Sequence, residues 1–264
     1  MRNVDLEGKV TSFGGEISFS VSEGSAESLT RNAVVRSLSG EMKWNGGRGS
    51  LWELADRNPV LELIGLRVEM EESALTFNGT IQMESTQLDL LVDAEPIEVE
   101  EVARALDVET DHFGELQGSF TLRGAPDSVR VEGALSGIFS GYALSDLDVD
   151  ITVQGDRIDI ARAAGGFNGA LVTGSGSYTF DAPEILTLDI DVRDMDLSEG
   201  FVPGRDLPET FINGRLKLGY RFEDGSVFFD ADLDEGHLRE MPFDRALIKG
   251  SYIEENLHVD RVLL

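Results

Sequence analysis

The residues of this chain that could do chemistry are histidines, paired carboxylates and one glycine-rich run. The three histidines, His112, His237 and His258, do not have the spacing of metal ligands. His258 stands within an alternating apolar pattern at a position that a strand turns to its polar side. We therefore predict that the histidines face solvent.

Paired carboxylates are frequent, and we predict that they serve as charges that keep the protein soluble. Asp189 and Asp191, like Asp148 and Asp150, are two residues apart on predicted strands, so each pair shares an outer face. Nothing in their surroundings would separate the pKa values of the two members, as acid–base catalysis requires. The chain has no cysteine, which excludes disulfides, thiolate catalysis and zinc–thiolate sites.

Two runs match ligand-binding loops only in part. DADLDEGHLREM, residues 230–241, spaces three aspartates as a calcium loop does, but Gly236 comes one residue late and Met241 replaces the required Glu. TGSGSY, residues 173–178, lacks the lysine and the helix that phosphate binding needs. It predicts a strand edge or bulge. We predict no enzyme, no catalytic residue, no metal and no cofactor.

Composition restricts the partners. The 264 residues are 41% hydrophobic, enough for a sizeable core, and carry 50 acidic against 22 basic residues, a net charge of −28. Such a charge repels phosphates, so nucleic acid is excluded as a partner. No apolar run reaches the roughly 20 residues of a membrane span, and no signal peptide begins the chain. Both ends look cut, and we expect a piece of a longer protein.

The elements that must position any site are strands. In LTLDIDVRDMDL, residues 186–197, apolar and polar residues alternate, slip at Asp194 and resume, which is the period of a strand with one apolar face. Short turns join the segments, so neighbouring strands are antiparallel. Similar strands are predicted at 118–124, 128–135, 147–153, 157–163, 215–222, 226–233, 246–253 and 256–264.

Helices are predicted only at 96–108 and, shorter, at 50–57. Two such helices cannot cover the apolar faces of more than a dozen strands. The predicted fold is therefore all-β, an extended, curled antiparallel sheet of meandering hairpins with one or two short helices, shaped like a taco around a groove.

An internal repeat of nearly 100 residues accompanies this pattern. Gly79 aligns with Gly176 and Gly118 with Gly214, and similar strands follow each glycine. We predict N-terminal strands over 1–37, a first groove unit over 38–113 and a second over 114–209. Residues 210–264 then begin a third, truncated unit.

Three patterns recur along residues 38–264. They are the strand starts TFNGTIQM, LQGSFTLRG, VTGSGSYTF and FINGRLKL, the strand-to-helix runs LLVDAEPIEVEEVARAL and IDVRDMDLSEGF, and the Pro-Phe before a returning strand in MPFDRALIKGSY. Together these patterns resemble the AsmA and TamB superfamily. The resemblance implies a periplasmic part of a bacterial envelope protein anchored in the inner membrane. It implies an apolar β-groove that carries lipid toward the outer membrane, with phospholipid as ligand and envelope proteins as partners at either end. The anchor itself is missing from this sequence.

A trough of this kind would lower the cost of moving lipid through water, about 0.8 kcal/mol per methylene and about 20 kcal/mol or more for two chains. The alternative is a sealed core in a structural or adhesive β-domain that binds protein or glycan through its loops. The residues predicted to line the groove are Phe120, Leu122, Val129, Val131, Val149, Ile151, Val153, Leu186, Leu188, Ile190, Val192, Leu216, Leu218, Tyr220, Phe222, Val227 and Phe229.

Overall fold

The computed structural model describes residues 2–13, 16–27, 34–45, 59–106, 113–180, 183–196, 210–238, 241–253 and 256–263. The chain divides into two compact units, Met1–Gly141 and Tyr142–Leu264. The predicted fold class is confirmed: in the described residues the chain is all-β, built from antiparallel hairpins with one short helix. The fold class does not test the predicted boundaries of the repeat units, 1–37, 38–113, 114–209 and 210–264, which stay a prediction.

The first unit is an antiparallel meander. Each strand pairs with the next along the chain, except that the two-residue strand β3 and the longer β4 both pair with β2. Its elements are β1 (Arg2–Phe13), β2 (Glu16–Glu27), β3 (Val34–Val35), β4 (Ser37–Asn45), β5 (Val60–Glu69), β6 (Ala74–Gln82), β7 (Gln87–Glu98), α1 (Val99–Leu106), β8 (Glu115–Ala125) and β9 (Ser128–Phe139).

The second unit repeats the same plan, with the short β16 and the longer β17 both paired to β15. All of the strands predicted from alternation are present. The elements are β10 (Tyr142–Gln154), β11 (Arg157–Phe167), β12 (Ala170–Thr179), β13 (Ile185–Asp196), β14 (Thr210–Arg221), β15 (Ser226–Leu238), β16 (Met241–Phe243), β17 (Ala246–Ile253) and β18 (Asn256–Leu263).

The slip in the alternation of β13 is a β-bulge. The register between β13 and β14 shifts between Val192 and Met195, and Asp194 has a φ of 56°. Its backbone N–H donates a 2.8 Å hydrogen bond to Oδ1 of Asn213 on β14. The extra residue restores the apolar phase at Met195, which is why alternation resumes there.

The first unit contains a β-bulge of the same kind. The register between β5 and β6 shifts between Leu63 and Leu66, where Gly65 has a φ of 57°. The N–H of Gly65 donates a 2.8 Å hydrogen bond to Oδ1 of Asn78 on β6. In both units an Asn–Gly pair on the neighbouring strand faces the bulge. Bulges increase local twist and bend the strand, which produces curl in a sheet.

The recurring strand-start glycines have a steric reason. Gly79 has a φ of 133° and Gly214 a φ of 139°, values that side chains rarely allow. A Cβ at Gly79 would collide with the carbonyl oxygen of Asp89, and one at Gly214 with that of Asp232. The neighbouring strand therefore approaches too closely for any residue but glycine.

The helix predicted over 96–108 is present but begins at Val99. Residues 97 and 98 still pair with β8, Ile97 opposite Leu116 and Glu98 opposite Glu115, so the ladder delays the helix. The helix predicted at 50–57 lies outside the described residues. None of the helical segments in the described ranges has the length and hydropathy of a bilayer span.

Candidate functional site

One face of the second unit is apolar across every long strand from β12 to β17. Cross-strand pairing aligns the residues of this face into four rows, because paired residues in an antiparallel ladder point to the same side. The rows are Tyr178, Leu186, Tyr220, Val227 and Tyr252; Gly176, Leu188, Leu218, Phe229 and Gly250; Gly174, Ile190, Leu216, Ala231 and Ile248; and Val172, Val192, Gly214, Leu233 and Ala246.

β10 and β11 continue the apolar face within the same unit. Val149 pairs with Ala163, Ile151 with Ile160, and Val153 with Ile158. Twelve of the thirteen predicted lining residues of this unit therefore share one face. Phe222 belongs to it as well, since its ring contacts those of Tyr178 and Tyr220.

The first unit has an apolar face of the same kind, which carries the remaining four predicted residues. On β8 and β9, Leu122 pairs with Val131, Phe120 with Gly133, and Val129 with Gly124. Phe120 and Leu122 pack against a cluster of buried residues on β5 and β7, Leu63, Leu90 and Val92. Sequence reasoning omitted the neighbouring face residues, although their alternation in 74–92 is equally clear: Leu75, Phe77, Ile81, Leu88, Leu90 and Val92.

The predicted residues are mostly not sealed in a core. Of the seventeen, only Val149 and Val192 are buried, and Phe222 is 42% exposed. The other fourteen are half-buried. Neighbouring side chains on the same sheet cover part of each one, and the remainder is open. An ordinary sandwich interior would bury most of these positions.

Burial on the face of the second unit changes along the strands. Along β13, Leu186, Leu188 and Ile190 are half-buried, whereas Val192 and Met195 are buried. The same change occurs on β14, β15 and β17, whose buried hydrophobic residues are Ile212, Ala231, Leu233 and Ala246. We call the half of the face around Met195 and Ile212 the closed end, and the half around Leu186 and Tyr220 the open end.

Bulky side chains cover the closed end. Ala170, Val192, Met195, Ile212, Ala231, Leu233 and Ala246 form one buried cluster, and Phe167 and Phe243 pack against it. Phe243 comes from β16, which pairs with the last residues of β15. The closed end is thus a small packed core attached to a half-open face.

The open end is aromatic, which sequence reasoning found only in part. Tyr220 and Phe222 were predicted, but Tyr178, Phe180 and Tyr252 were not. Tyr178 belongs to the run TGSGSY, which was predicted to be a strand edge or bulge. That prediction is wrong, because the run lies within β12, which is paired with a neighbouring strand on both sides. The bulge lies in the neighbouring β11, where the register shifts between Ile160 and Ala163. The glycines at 174 and 176 face the apolar side, opposite Ile190 and Leu188.

The opposite face is polar and carries the predicted carboxylates. Arg215 holds Asp189 through two hydrogen bonds of 2.6 Å, and Arg162 lies 3.4 Å from Asp148. The hydrogen bond from Arg215 lowers the pKa of Asp189 from its ordinary value. Ion pairs exposed to solvent in this way add little to stability but keep the face hydrated.

The histidines and the aspartate-rich run have different outcomes. His258 is exposed and pairs with Ser251 on the polar side, as predicted. His237 is half-buried, with its ring centroid 5.0 Å from that of the exposed Phe211, so it is only partly open to solvent. His112 lies outside the described residues. Residues 230–238 belong to β15, which stays paired with β14 apart from a one-residue register shift between Leu233 and Glu235, and this leaves no calcium loop there.

A hollow of about 1010 Å³ adjoins the polar side of β12 to β15. Its lining mixes charges of both signs, among them Asp191, Arg193, Arg215 and Asp234. In the part of the chain that the structure describes, no group of three histidine or acidic side chains is placed to hold a metal ion.

Comparison with protein-family models, with curated proteins and with solved structures gave no significant match. The geometry of the two faces therefore carries the functional interpretation.

Proposed function

We propose that this chain is the lipid-conducting segment of a bacterial envelope protein, and that acyl chains lie on its apolar β-face. The observation that carries the proposal is that the predicted lining residues share one face in each unit and most of them remain half-open. Hydrocarbon is the natural occupant of such a surface, because each buried methylene gains about 0.8 kcal/mol.

The composition of the face suits a carrier. In the four rows of the second unit, all side chains are aliphatic or aromatic except where glycine removes them, and the tyrosines lie at the open end. Fixed polar groups would hold a lipid in one place and slow its release. A smooth apolar surface binds acyl chains without directional contacts, so that they can slide.

The proposed location rests on the resemblance to the AsmA and TamB superfamily. That resemblance supports a periplasmic site between the inner and outer membranes, with phospholipid as the ligand and envelope proteins at either end of the groove. The acidic polar face agrees with a surface that stays in water and does not bind anionic membrane surfaces.

Lipid mass spectrometry on gently purified protein tests the proposal. The protein is expected to retain phospholipid, and the double variant Leu188→Asp/Ile190→Asp is expected to lose most of it because both charges point into the apolar face. The matched control is Thr187→Asp/Ser251→Asp, which adds the same charge to the polar face. Absence of lipid from the unmodified protein, or equal loss in both variants, would contradict the proposal and favour a structural or adhesive domain.

A further inference from the structure

Three of the four tyrosines of the chain form one cross-strand row at the open end of the second unit. Tyr178 on β12, Tyr220 on β14 and Tyr252 on β17 occupy alternate places in this row, with Leu186 and Val227 between them. The regular placement gives one end of an otherwise purely apolar face a line of phenol groups. We call these three residues the tyrosine row.

Phenylalanines extend the tyrosine row into an aromatic cluster. The ring centroids of Tyr178 and Phe180 are 4.7 Å apart, and those of Tyr220 and Phe222 are 4.6 Å apart. Phe180, Phe222 and Tyr252 are 44%, 42% and 41% exposed. Tyrosine is favoured where one side of a residue meets hydrocarbon and the other meets water, because its ring is apolar and its hydroxyl is polar. The cluster therefore has the chemistry of a boundary between chain and head group.

The half-buried stretch beyond the tyrosine row has the length of an acyl chain. From Leu186 to Val192, β13 rises by about 20 Å, compared with about 15 Å of hydrocarbon in one leaflet of a bilayer. Beyond Val192 the closed end is filled by its own side chains. An amphiphile on this face can thus place its chains along the strands only with its polar group toward the tyrosine row.

Two acidic residues lie directly beside the aromatic cluster. The backbone N–H of Phe180 donates to the carbonyl oxygen of Asp156 at 2.7 Å, and that of Phe222 donates to the carbonyl oxygen of Glu184 at 3.1 Å. Both acidic side chains are exposed. Aromatic faces and carboxylates both attract cations and repel anions.

The nearby arginines do not neutralise these two carboxylates. Arg157 lies 2.6 Å from Asp159, and Arg221 lies 3.2 Å from Asp224. Among the residues that the structure describes, Asp156 and Glu184 have no ion-pair partner. The open end therefore has an uncompensated negative charge next to exposed aromatic rings.

We infer that the tyrosine row with its acidic flank selects the lipid head group: the apolar face takes amphiphiles with the polar group at the open end, and it binds head groups that carry an ammonium in preference to net anionic ones. The inference rests on the proposed function, since it concerns the same face. It identifies the ligand class as zwitterionic, ammonium-bearing phospholipid.

Two tail-labelled fluorescent lipids with identical acyl chains test the selection, phosphatidylethanolamine and phosphatidylglycerol. At low salt, phosphatidylethanolamine is expected to bind about three- to tenfold more tightly, because each unpaired carboxylate at about 6 Å in water contributes about a threefold factor. The ratio is expected to fall toward one at high salt, since screening shortens the range of these charges.

The variant Asp156→Asn/Glu184→Gln is expected to lower the ratio by about threefold or more while both lipids still bind. Asp191→Asn/Asp234→Asn is the matched control, because it removes the same net charge from the polar side away from the tyrosine row. Equal affinity for the two lipids, or tighter binding of phosphatidylglycerol, would overturn the inference and leave the proposed function standing. If neither lipid binds, the proposed function fails and the inference fails with it.

A fluorescence-quenching experiment measures the orientation of the bound lipid separately. A dye on Tyr252→Cys, in a chain that has no native cysteine, is expected to be quenched more strongly by a nitroxide on the phospholipid head group than by one at the end of the acyl chain. Stronger quenching by the chain-end nitroxide would reverse the assigned orientation and overturn this part of the inference.

Discussion

Asp194 and Asn213 are joined across two neighbouring strands by a 2.8 Å hydrogen bond from the backbone N–H of one to Oδ1 of the other. The bond closes the bulge that shifts the register of β13 against β14. It therefore keeps Ile190 and Val192 on the same face as Met195. This hydrogen bond at the bulge thus keeps the apolar residues of β13 on one face of the sheet.

Substitutions at Asp194 should separate backbone strain from side-chain chemistry. With a φ of 56°, Asp194→Val is expected to destabilise the fold by about 1–3 kcal/mol, because a β-branched residue avoids this region. Asp194→Gly adopts the same φ without strain and is expected to be neutral or slightly stabilising. Urea unfolding measures both variants. Equal destabilisation by Val and Gly would show that the carboxylate matters more than the backbone conformation.

Removing the hydrogen-bond acceptor Asn213 should destabilise the fold less than the backbone strain of Asp194→Val does. Asn213→Ala is expected to destabilise by about 1 kcal/mol, because the N–H of Asp194 is left to water. Asn78→Ala should have a similar effect in the first unit, since Oδ1 of Asn78 accepts the N–H of Gly65 in the same way. Urea midpoints for both variants check this, and no measurable change in either would contradict a structural role for the Asn–Gly pairs.

Glycines on the apolar face should tolerate no side chain. Gly214→Ala is expected to destabilise by about 2 kcal/mol or more, because its φ of 139° is strained for alanine and the new Cβ would collide with Asp232 and Leu233. Gly219→Ala is the control on the polar face, where the nearest atom to a new Cβ is Cβ of Phe228 at 3.8 Å. Thermal unfolding compares the two. A loss at Gly219 as large as that at Gly214 would show that positive φ and the close approach of the neighbouring strand are not the reason for these glycines.

The difference between the open and closed ends predicts thiol reactivity. A cysteine at Phe222, which is 42% exposed, is expected to react with a maleimide at least about tenfold faster than one at Val192, which is 2% exposed. Leu171→Cys on the polar side, at 60% exposed, serves as the reference for free access. Similar rates at Phe222 and Val192 would mean that the face is closed, or open, along its whole length.

Helix α1 should be held by Glu101 in a pH-dependent way. Burial raises the pKa of Glu101, but hydrogen bonds from the Ser73 hydroxyl and from the backbone N–H groups of Glu72 and Glu71 outweigh it, so the pKa lies below its ordinary value. A carboxylate whose pKa is lowered by folding stabilises above its unfolded pKa, and the stabilisation is lost as the pH falls through the folded value.

We therefore expect Glu101→Gln to destabilise by about 1 kcal/mol at pH 7, a value reduced for its solvent exposure. The difference from the parent should shrink as the pH falls below about 4. Glu100→Gln is the control, because it removes a charge from the same helical turn without breaking those hydrogen bonds. A Glu101→Gln effect that is constant with pH would contradict the account.

Local pattern was enough to predict the strands and the shared face. Alternation fixed which side each residue occupies, because an antiparallel register preserves side from strand to strand, as Leu188, Leu218 and Phe229 show. The helix start at Val99 was missed, since pairing of Ile97 with Leu116 is a contact between distant parts of the sequence. Tyr178 was missed because the two glycines in its run suggested a strand edge or bulge.

The change in burial along the face could not be predicted from alternation. Leu186 and Val192 have the same phase and similar character, but one is half-buried and the other is 2% exposed. The difference arises because Phe243 and Phe167 pack onto the closed end, from strands far from β13 in the sequence. Period-two patterns report the side of a sheet and contain no information about what covers it.

The central claim is that acyl chains lie on the apolar face, and residue-by-residue quenching along β13 tests it most directly. Single cysteines at positions 186–191 carry a small dye, and a phospholipid with a nitroxide in its acyl chain is added to each. Quenching is predicted to alternate, strong at Leu186, Leu188 and Ile190 and weak at the three positions between them. Uniform quenching, no quenching, or the opposite alternation would contradict the account.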